Sequence, residues 1–328
     1  MNLKKLWYII AHICFLGAAY SYVRLFNYKS SMTRTSLVKS ALQSDKCDSV
    51  KLLKFDGGGI FFWYQAGACK YLQECGFSNH SNLSVLGTSA GALSATLLIC
   101  ECDFDKAADI AIDQCIQENL FDKPTGLMFK WGAIIEEWLN LLLSMSSNKS
   151  NEEFNQRLTR LIVTSTAMET LLPWRDKRQT FLTGFKDKDD LIDACMSSVH
   201  IPVFLDKKFY RKYYSSPRDG RRYDRYIDGS FWPYFGKLPT EVPRSLVQGC
   251  DGEEGVLSPQ EIYVCGDWKA DEDFMAKMRG DDTGFVSLVS PEGLFEMVKS
   301  GYEYMKREHI AGRVPLSVLP PIRSLASH

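Results

Sequence analysis

From residue 50 onward, short apolar runs alternate with longer helix-like segments, and several junctions carry glycine or serine. VKLLKF (50–55) is β-prone and is broken by DGGG; Phe61 to Cys75 then reads as a helix closed by Gly76. LSVLG (83–87) is the next strand, cut by a serine turn, and AGALSATLLICE (90–101) reads as a helix. RQTFLTGF (178–185) precedes a helical DDLIDACMSS, and EIYVCGD (261–267) is a further buried strand. Ser290, Pro291 and Glu292 mark a helix start, with Gly312 as its stop. LLLSMSSNKSN (141–151) reads as a loop between helical segments. This alternation predicts an α/β domain with a largely parallel sheet covered by helices, and no internal repeat interrupts it.

The pattern before residue 50 is different. LWYIIAHICFLGAAYSYV (6–23) is almost uniformly apolar and follows Lys4 and Lys5. Its length is at the lower border of the roughly 17–25 residues that a bilayer span needs. More Lys and Arg follow the run than precede it, which favours an anchor with the rest of the chain in the cytosol. The small-x-small triplet AYS ending at Ser21 allows a cleaved signal or targeting peptide instead. The expected organisation is an anchor or targeting segment with a basic linker over 1–45, a catalytic domain over 46–312 and a tail over 313–328. Sequons at Asn79, Asn82 and Asn148 matter only if the domain is lumenal.

Composition narrows the chemistry. With 328 residues, 45% hydrophobic and 24% charged, the chain can bury a sizeable core. A formal net charge of −1 supplies no global basic field for nucleic acid. The ten cysteines include no C-x-x-C pair, and Cys100 and Cys102 have no histidine near enough to complete a zinc site, so they read as reduced core thiols. Neither a metal nor a cofactor is expected.

Two glycine-bearing strand-to-helix turns carry the candidate chemistry, since ligands gather at the carboxyl ends of parallel strands. DGGGI (56–60) lacks the lysine of a phosphate-binding loop, and Phe62 stands where a dinucleotide fingerprint needs its third glycine. What remains is a run of unobstructed N–H groups at Gly57, Gly58 and Gly59, suited to a developing oxyanion. GTSAG (87–91) is a G-x-S-x-G pattern in which Gly87 and Gly91 leave room for a strained turn presenting Ser89. A serine hydroxyl needs a base. His200, His309, His328 and several carboxylates are available, among them Asp228 in RYIDGS (225–230).

The order DGGG, GTSAG, IDGS resembles the patatin-like phospholipase family over roughly residues 50–310. FFWYQAGACKYL with Gly67, DACMSSVHIPVFL (193–205) and KSGYEYMKRE (299–308) extend the likeness. The resemblance implies a three-layer α/β/α fold and a Ser89–Asp228 dyad, with the glycine run as oxyanion hole. It also implies a phospholipid or acylglycerol substrate at a membrane or lipid-droplet surface. Two positions depart from the pattern: Phe61 stands where many members carry Arg or Lys, and Ser230 replaces the final small residue of D-G-[GA]. An aspartate has a pKa of about 3.9 in water, so as base it needs the desolvation that a dry acyl pocket supplies. The competing readings are an α/β-hydrolase whose triad is completed by His309, and a non-catalytic lipid-binding relative. Residues 207–226, dense in Arg, Lys and Tyr, read as a solvated hairpin or a headgroup-facing surface.

Overall fold

The computed structural model describes residues 50–77, 83–121, 128–146, 151–168, 177–213, 225–230, 241–250, 252–278 and 288–319. Strands β1 (Leu52–Phe55), β2 (Ser84–Thr88), β3 (Leu161–Met168), β4 (Lys177–Leu182), β5 (Arg211–Lys212), β6 (Arg225–Ile227) and β7 (Ile262–Val264) form one sheet. Its order is β5-β6-β3-β2-β1-β7, and β4 also pairs with β3. The β7-β1-β2-β3 portion is parallel, whereas β4, β6 and β5 join antiparallel.

Burial of both faces explains why the central strands are rich in aliphatic residues on both sides. Leu53, Phe55, Val85, Leu161 and Val163 enter the main core with the helices. The alternate residues Leu52, Leu86 and Ile162 point to the other face and pack against Val242, Val247 and Leu257. The helices are α1 (Phe62–Glu74), α2 (Ala90–Ile99), α3 (Phe104–Gln117), α4 (Trp131–Ser146), α5 (Asn151–Leu158), α6 (Lys188–Ser198), α7 (Glu272–Met278) and α8 (Pro291–Ile310). Every residue of α2 is buried, as a helix that is apolar nearly all round requires, and Ser94 and Thr96 are buried with it. Side chains cap several starts: Asp103 accepts from the N–H of Asp105 and Lys106, Asp187 from Asp190, and Ser290 from Gly293. Gly76 and Gly312 follow α1 and α8 with φ of 83° and 66°.

The 141–151 loop reading is corrected. Helix α4 continues through Ser146, and α5 begins at Asn151. Ile135, Trp138, Leu139, Leu142 and Leu143 are all buried, a helical i, i+3, i+4 stripe that the clustered serines had obscured. Val314, Val318 and Leu319 belong to the main core, so the packed body runs past residue 312. Among the described residues no helix is long and apolar enough to cross a membrane. The apolar segment 6–23, the basic linker after it and the three sequons lie outside the described residues.

Helices α1 and α8 cross at van der Waals distance because glycines stand at the contact. A Cβ on Gly67 would lie 1.8 Å from the Val298 carbonyl oxygen, and one on Gly301 would lie 1.8 Å from that of Tyr64. Both obstacles are backbone and cannot rotate away. Gly301→Val is therefore expected to destabilise the fold by about 1–3 kcal/mol through overpacking. Gly132→Ala, whose Cβ meets nothing nearer than 3.4 Å, should melt like the parent in the same thermal scan.

Candidate active site

Strand register brings Ser89 and Asp228 together. β4 pairs along β3 from Val163 to Met168, which leaves β2 and β6 to share the opposite edge of β3. β2 runs parallel to β3 and ends with Thr88 opposite Thr164. β6 runs the other way, with Ile227 opposite Thr166. The next residue of each strand approaches Ser165 from opposite directions. These residues are Ser89 and Asp228, and the Ser89 hydroxyl donates to Asp228 Oδ2. Both are buried, at 8% and 4% exposure.

The turn that presents Ser89 is strained. Its φ and ψ are 53° and −126°, a left-handed conformation that costs a side-chain-bearing residue on the order of 1–3 kcal/mol. Its flanking glycines are sterically required. A Cβ on Gly87 would lie 2.3 Å from the Gly91 carbonyl oxygen, and one on Gly91 would lie 2.2 Å from that of Phe55.

Residues 198–200, at the C-terminal end of α6, tie the two strand ends into one unit. The Ser89 N–H donates to Ser198 Oγ at 2.8 Å, and that hydroxyl donates onward to the Thr164 carbonyl at 2.6 Å. Gly229 N–H donates to the Ser198 carbonyl and Asp228 N–H to the His200 carbonyl, both at 2.8 Å. Thr166 Oγ1 donates to the Asp228 carbonyl at 3.0 Å, and the Ser230 N–H donates to Asp228 Oδ1 at 2.7 Å. Ser198 was not singled out in the sequence. Its only signal was a place in the segment DACMSSVHIP, where nothing distinguishes it from Ser197.

The glycine run lies beside this pair. A Cβ on Gly57 would sit 3.1 Å from Ser89 Cβ, and Gly59 lines the same cleft as Ser89. Gly58 and Gly59 lead into a 3-10 turn (Gly59–Phe61), with Gly59 at φ 57°. Buried Gln65 braces the start of the run, donating to the Asp56 carbonyl at 2.7 Å while it accepts from Ser94 Oγ at 2.9 Å. Phe61, in the position where many patatin-like proteins have a cation, stacks on Trp268 at 4.2 Å and meets Phe274 edge-on. It is a core residue.

Ser89 opens onto a cleft of about 930 Å³, its mouth included. Trp63, Leu93, Ile135, Trp138, Val199 and Leu205 are among its walls, and among the described residues no charged side chain lines it. Cys115 contributes a thiol to the lining, and burial raises its pKa. The eight described cysteines are free, six of them buried. Among the described residues no group of His, Cys, Asp and Glu could hold a metal ion.

The histidines lie elsewhere. His309 is buried on α8, with Nδ1 2.9 Å from Tyr71 Oη. The His200 ring meets the Lys208 carbonyl at 3.3 Å, and burial lowers its pKa and favours the neutral ring. His328 lies outside the described residues. In the basic segment, β5 and β6 form a short antiparallel pair, and Arg211 is drawn inward to Glu136 and Asp193. Residues 214–224 of that segment are outside the description.

A family model described as patatin-like phospholipase matches residues 53–240, from β1 past Asp228. The chain belongs to the patatin-like phospholipase family. A mouse relative, omega-hydroxyceramide transacylase, is 26% identical over 188 residues, which cover 56% of this chain and 28% of the relative. The chain thus matches little more than a quarter of that protein's length. A solved structure, VipD from Legionella pneumophila, aligns with a TM-score of 0.40 at 13% identity, over 79% of this chain and 66% of its own. The family match takes in all three of the segments DGGG, GTSAG and IDGS.

Proposed function

We propose that this patatin-like protein cleaves carboxylic esters of phospholipids or acylglycerols through a Ser89 acyl-enzyme, with Asp228 as base. The observation that carries the reading is the direct Ser89–Asp228 hydrogen bond at the wall of a cleft whose described lining is apolar and uncharged. The acyl chain occupies the cleft, and its carbonyl carbon comes to Ser89 Oγ. Asp228 takes the hydroxyl proton as the C–O bond forms. N–H groups of the Gly57–Gly59 run hold the resulting oxyanion, since among the described residues no group accepts from Gly58 or Gly59. Asp228 then gives its proton to the leaving alcohol. In the second half it takes a proton from the acceptor and returns it to Ser89 as the acyl group departs.

A carboxylate is a weak base in water, so the site must be dry for this exchange to work. Burial of Asp228 and an apolar cleft supply that condition. The cleft also suits a substrate drawn from a lipid surface. Phe121 lines it while 39% exposed, and Ile116 and Phe295, neighbours of the lining residues Cys115 and Leu294, are 54% and 46% exposed. Exposed apolar side chains on the elements that line the cleft suit contact with a membrane or droplet surface. The acceptor is water in hydrolysis; by analogy with the mouse transacylase, a hydroxyl compound can take its place.

A fluorophosphonate probe tests the reading on the purified full-length chain. Stoichiometric labelling of Ser89, lost in Ser89→Ala and accompanied by release of fatty acid from phospholipid or acylglycerol, is the expected result. A folded protein that takes no label is a non-catalytic lipid binder.

A further inference from the structure

Ser89 has two different sides. Gly59, Ser89 and Ala90 border the apolar cleft, whereas Gly57, Asp228 and Ser230 do not. On that second side the Ser230 hydroxyl crowds the Gly57 backbone. A Cβ built on Gly57 would lie 1.9 Å from Ser230 Oγ and 3.1 Å from Ser89 Cβ, so hydroxyl and nucleophile flank one small space. The 2.7 Å bond from the Ser230 N–H to Asp228 Oδ1 fixes this backbone against the base. Asp228 and Gly229 are buried and Ser230 is partly exposed, so the strand end reaches solvent at Ser230. Among the described residues no group hydrogen-bonds to the Ser230 hydroxyl. Toward the described residues it has donor and acceptor capacity to spare beside the dyad, on the side that the acyl chain leaves empty.

We propose that Ser230 forms an acceptor subsite for alcohols that carry a second hydroxyl, and so sets how the acyl group is shared between water and such alcohols. The inference rests on the acyl-enzyme reading above. With the acyl chain in the cleft, the attacking hydroxyl must come to the carbonyl carbon from the Asp228 side. Asp228 accepts its proton, the new C–O bond forms, and the tetrahedral centre collapses by breaking the bond to Ser89 Oγ, which recovers the proton. In a vicinal diol, the hydroxyl on the neighbouring carbon is then placed to hydrogen-bond Ser230 Oγ. Water and simple monohydric alcohols have no second group to offer. The subsite therefore selects the glycerol-type polyol, as leaving group on the way in and as acceptor on the way out.

The test uses the full-length protein, p-nitrophenyl butyrate as acyl donor, and glycerol or ethanol as added acceptor. Products are butyrate, butyryl glycerol and ethyl butyrate. Ser230→Ala and Ser230→Gly are both made, so that one folded variant suffices, and p-nitrophenol release reports acylation. The ratio of butyryl glycerol to butyrate should fall about fivefold in either variant, the worth of one hydrogen bond. The ethyl butyrate ratio should stay unchanged. An unaltered glycerol ratio in a folded variant overturns the subsite, as does an equal fall with ethanol, which would mark Ser230 as general support for Asp228. A parent protein that releases no p-nitrophenol instead sinks the acyl-enzyme reading itself.

Discussion

Ser89→Ala and Asp228→Asn should each lower ester turnover by several orders of magnitude, and the double variant should lose little more than either alone. Among the described residues Ser89 Oγ bonds to Asp228 Oδ2, so removing either end removes the proton path. Asp228→Asn is the sharper of the two. It keeps the shape and an oxygen able to accept from the Ser230 N–H, while the group can no longer take a proton. His309→Ala supplies the contrast. The His309 ring is committed to Tyr71 and its helix packs on α1, so the substitution costs packing, not proton transfer. Folded His309→Ala should keep activity within about threefold of the parent, which is under about 0.7 kcal/mol of barrier. A triad reverses this ranking. If His309→Ala is as inactive as Ser89→Ala while Asp228→Asn still turns over, the dyad assignment is wrong.

The legible parts of this protein are those where local sequence and local structure coincide. DGGG, GTSAG and IDGS each sit at a strand end, and a strand end can be read from an apolar run stopped by glycine. Gly76, Ser290 and Gly312 were legible for the same reason, since caps and stops need particular residue types. Strand β3 was not legible. LIVTSTAM mixes aliphatic and hydroxyl residues with no turn signal of its own, yet all eight residues are buried at the centre of the sheet. Its hydroxyls serve the site: Ser165 donates to the Ser197 and Ile227 carbonyls, and Thr166 to that of Asp228. Such bonds link positions 32 and 62 residues apart, and no local pattern encodes them. Ser198 was missed on the same ground. The loop reading of 141–151 failed differently, because serine content was weighed above the apolar period that α4 shows. Phe61 was recognised as a departure from the family pattern. Its role could not be read, because its partners Trp268 and Phe274 lie more than 200 residues away.

The glycine run yields the second large effect. Of its members, Gly59 combines a positive φ of 57° with a place on the cleft wall beside Ser89, whereas Gly58 has an extended φ of −163° that any residue adopts. A valine at 59 is strained in that backbone conformation, and relieving the strain rotates the adjoining peptide N–H groups away from the reacting carbonyl. Loss of one such donor costs roughly a hundredfold or more in turnover. Gly59→Val is therefore expected to lose at least that much kcat while thermal melting confirms that it folds. The valine side chain could also obstruct the cleft, and chain length separates the two causes. Acetyl and octanoyl esters should lose activity equally if the oxyanion donors are displaced, since both esters develop the same charge. Obstruction would spare the acetyl ester. The fluorophosphonate rate should fall in parallel, because the phosphonyl oxygen draws on the same donors. A folded Gly59→Val that hydrolyses the acetyl ester within tenfold of the parent removes the glycine run from the chemistry and leaves it a structural turn.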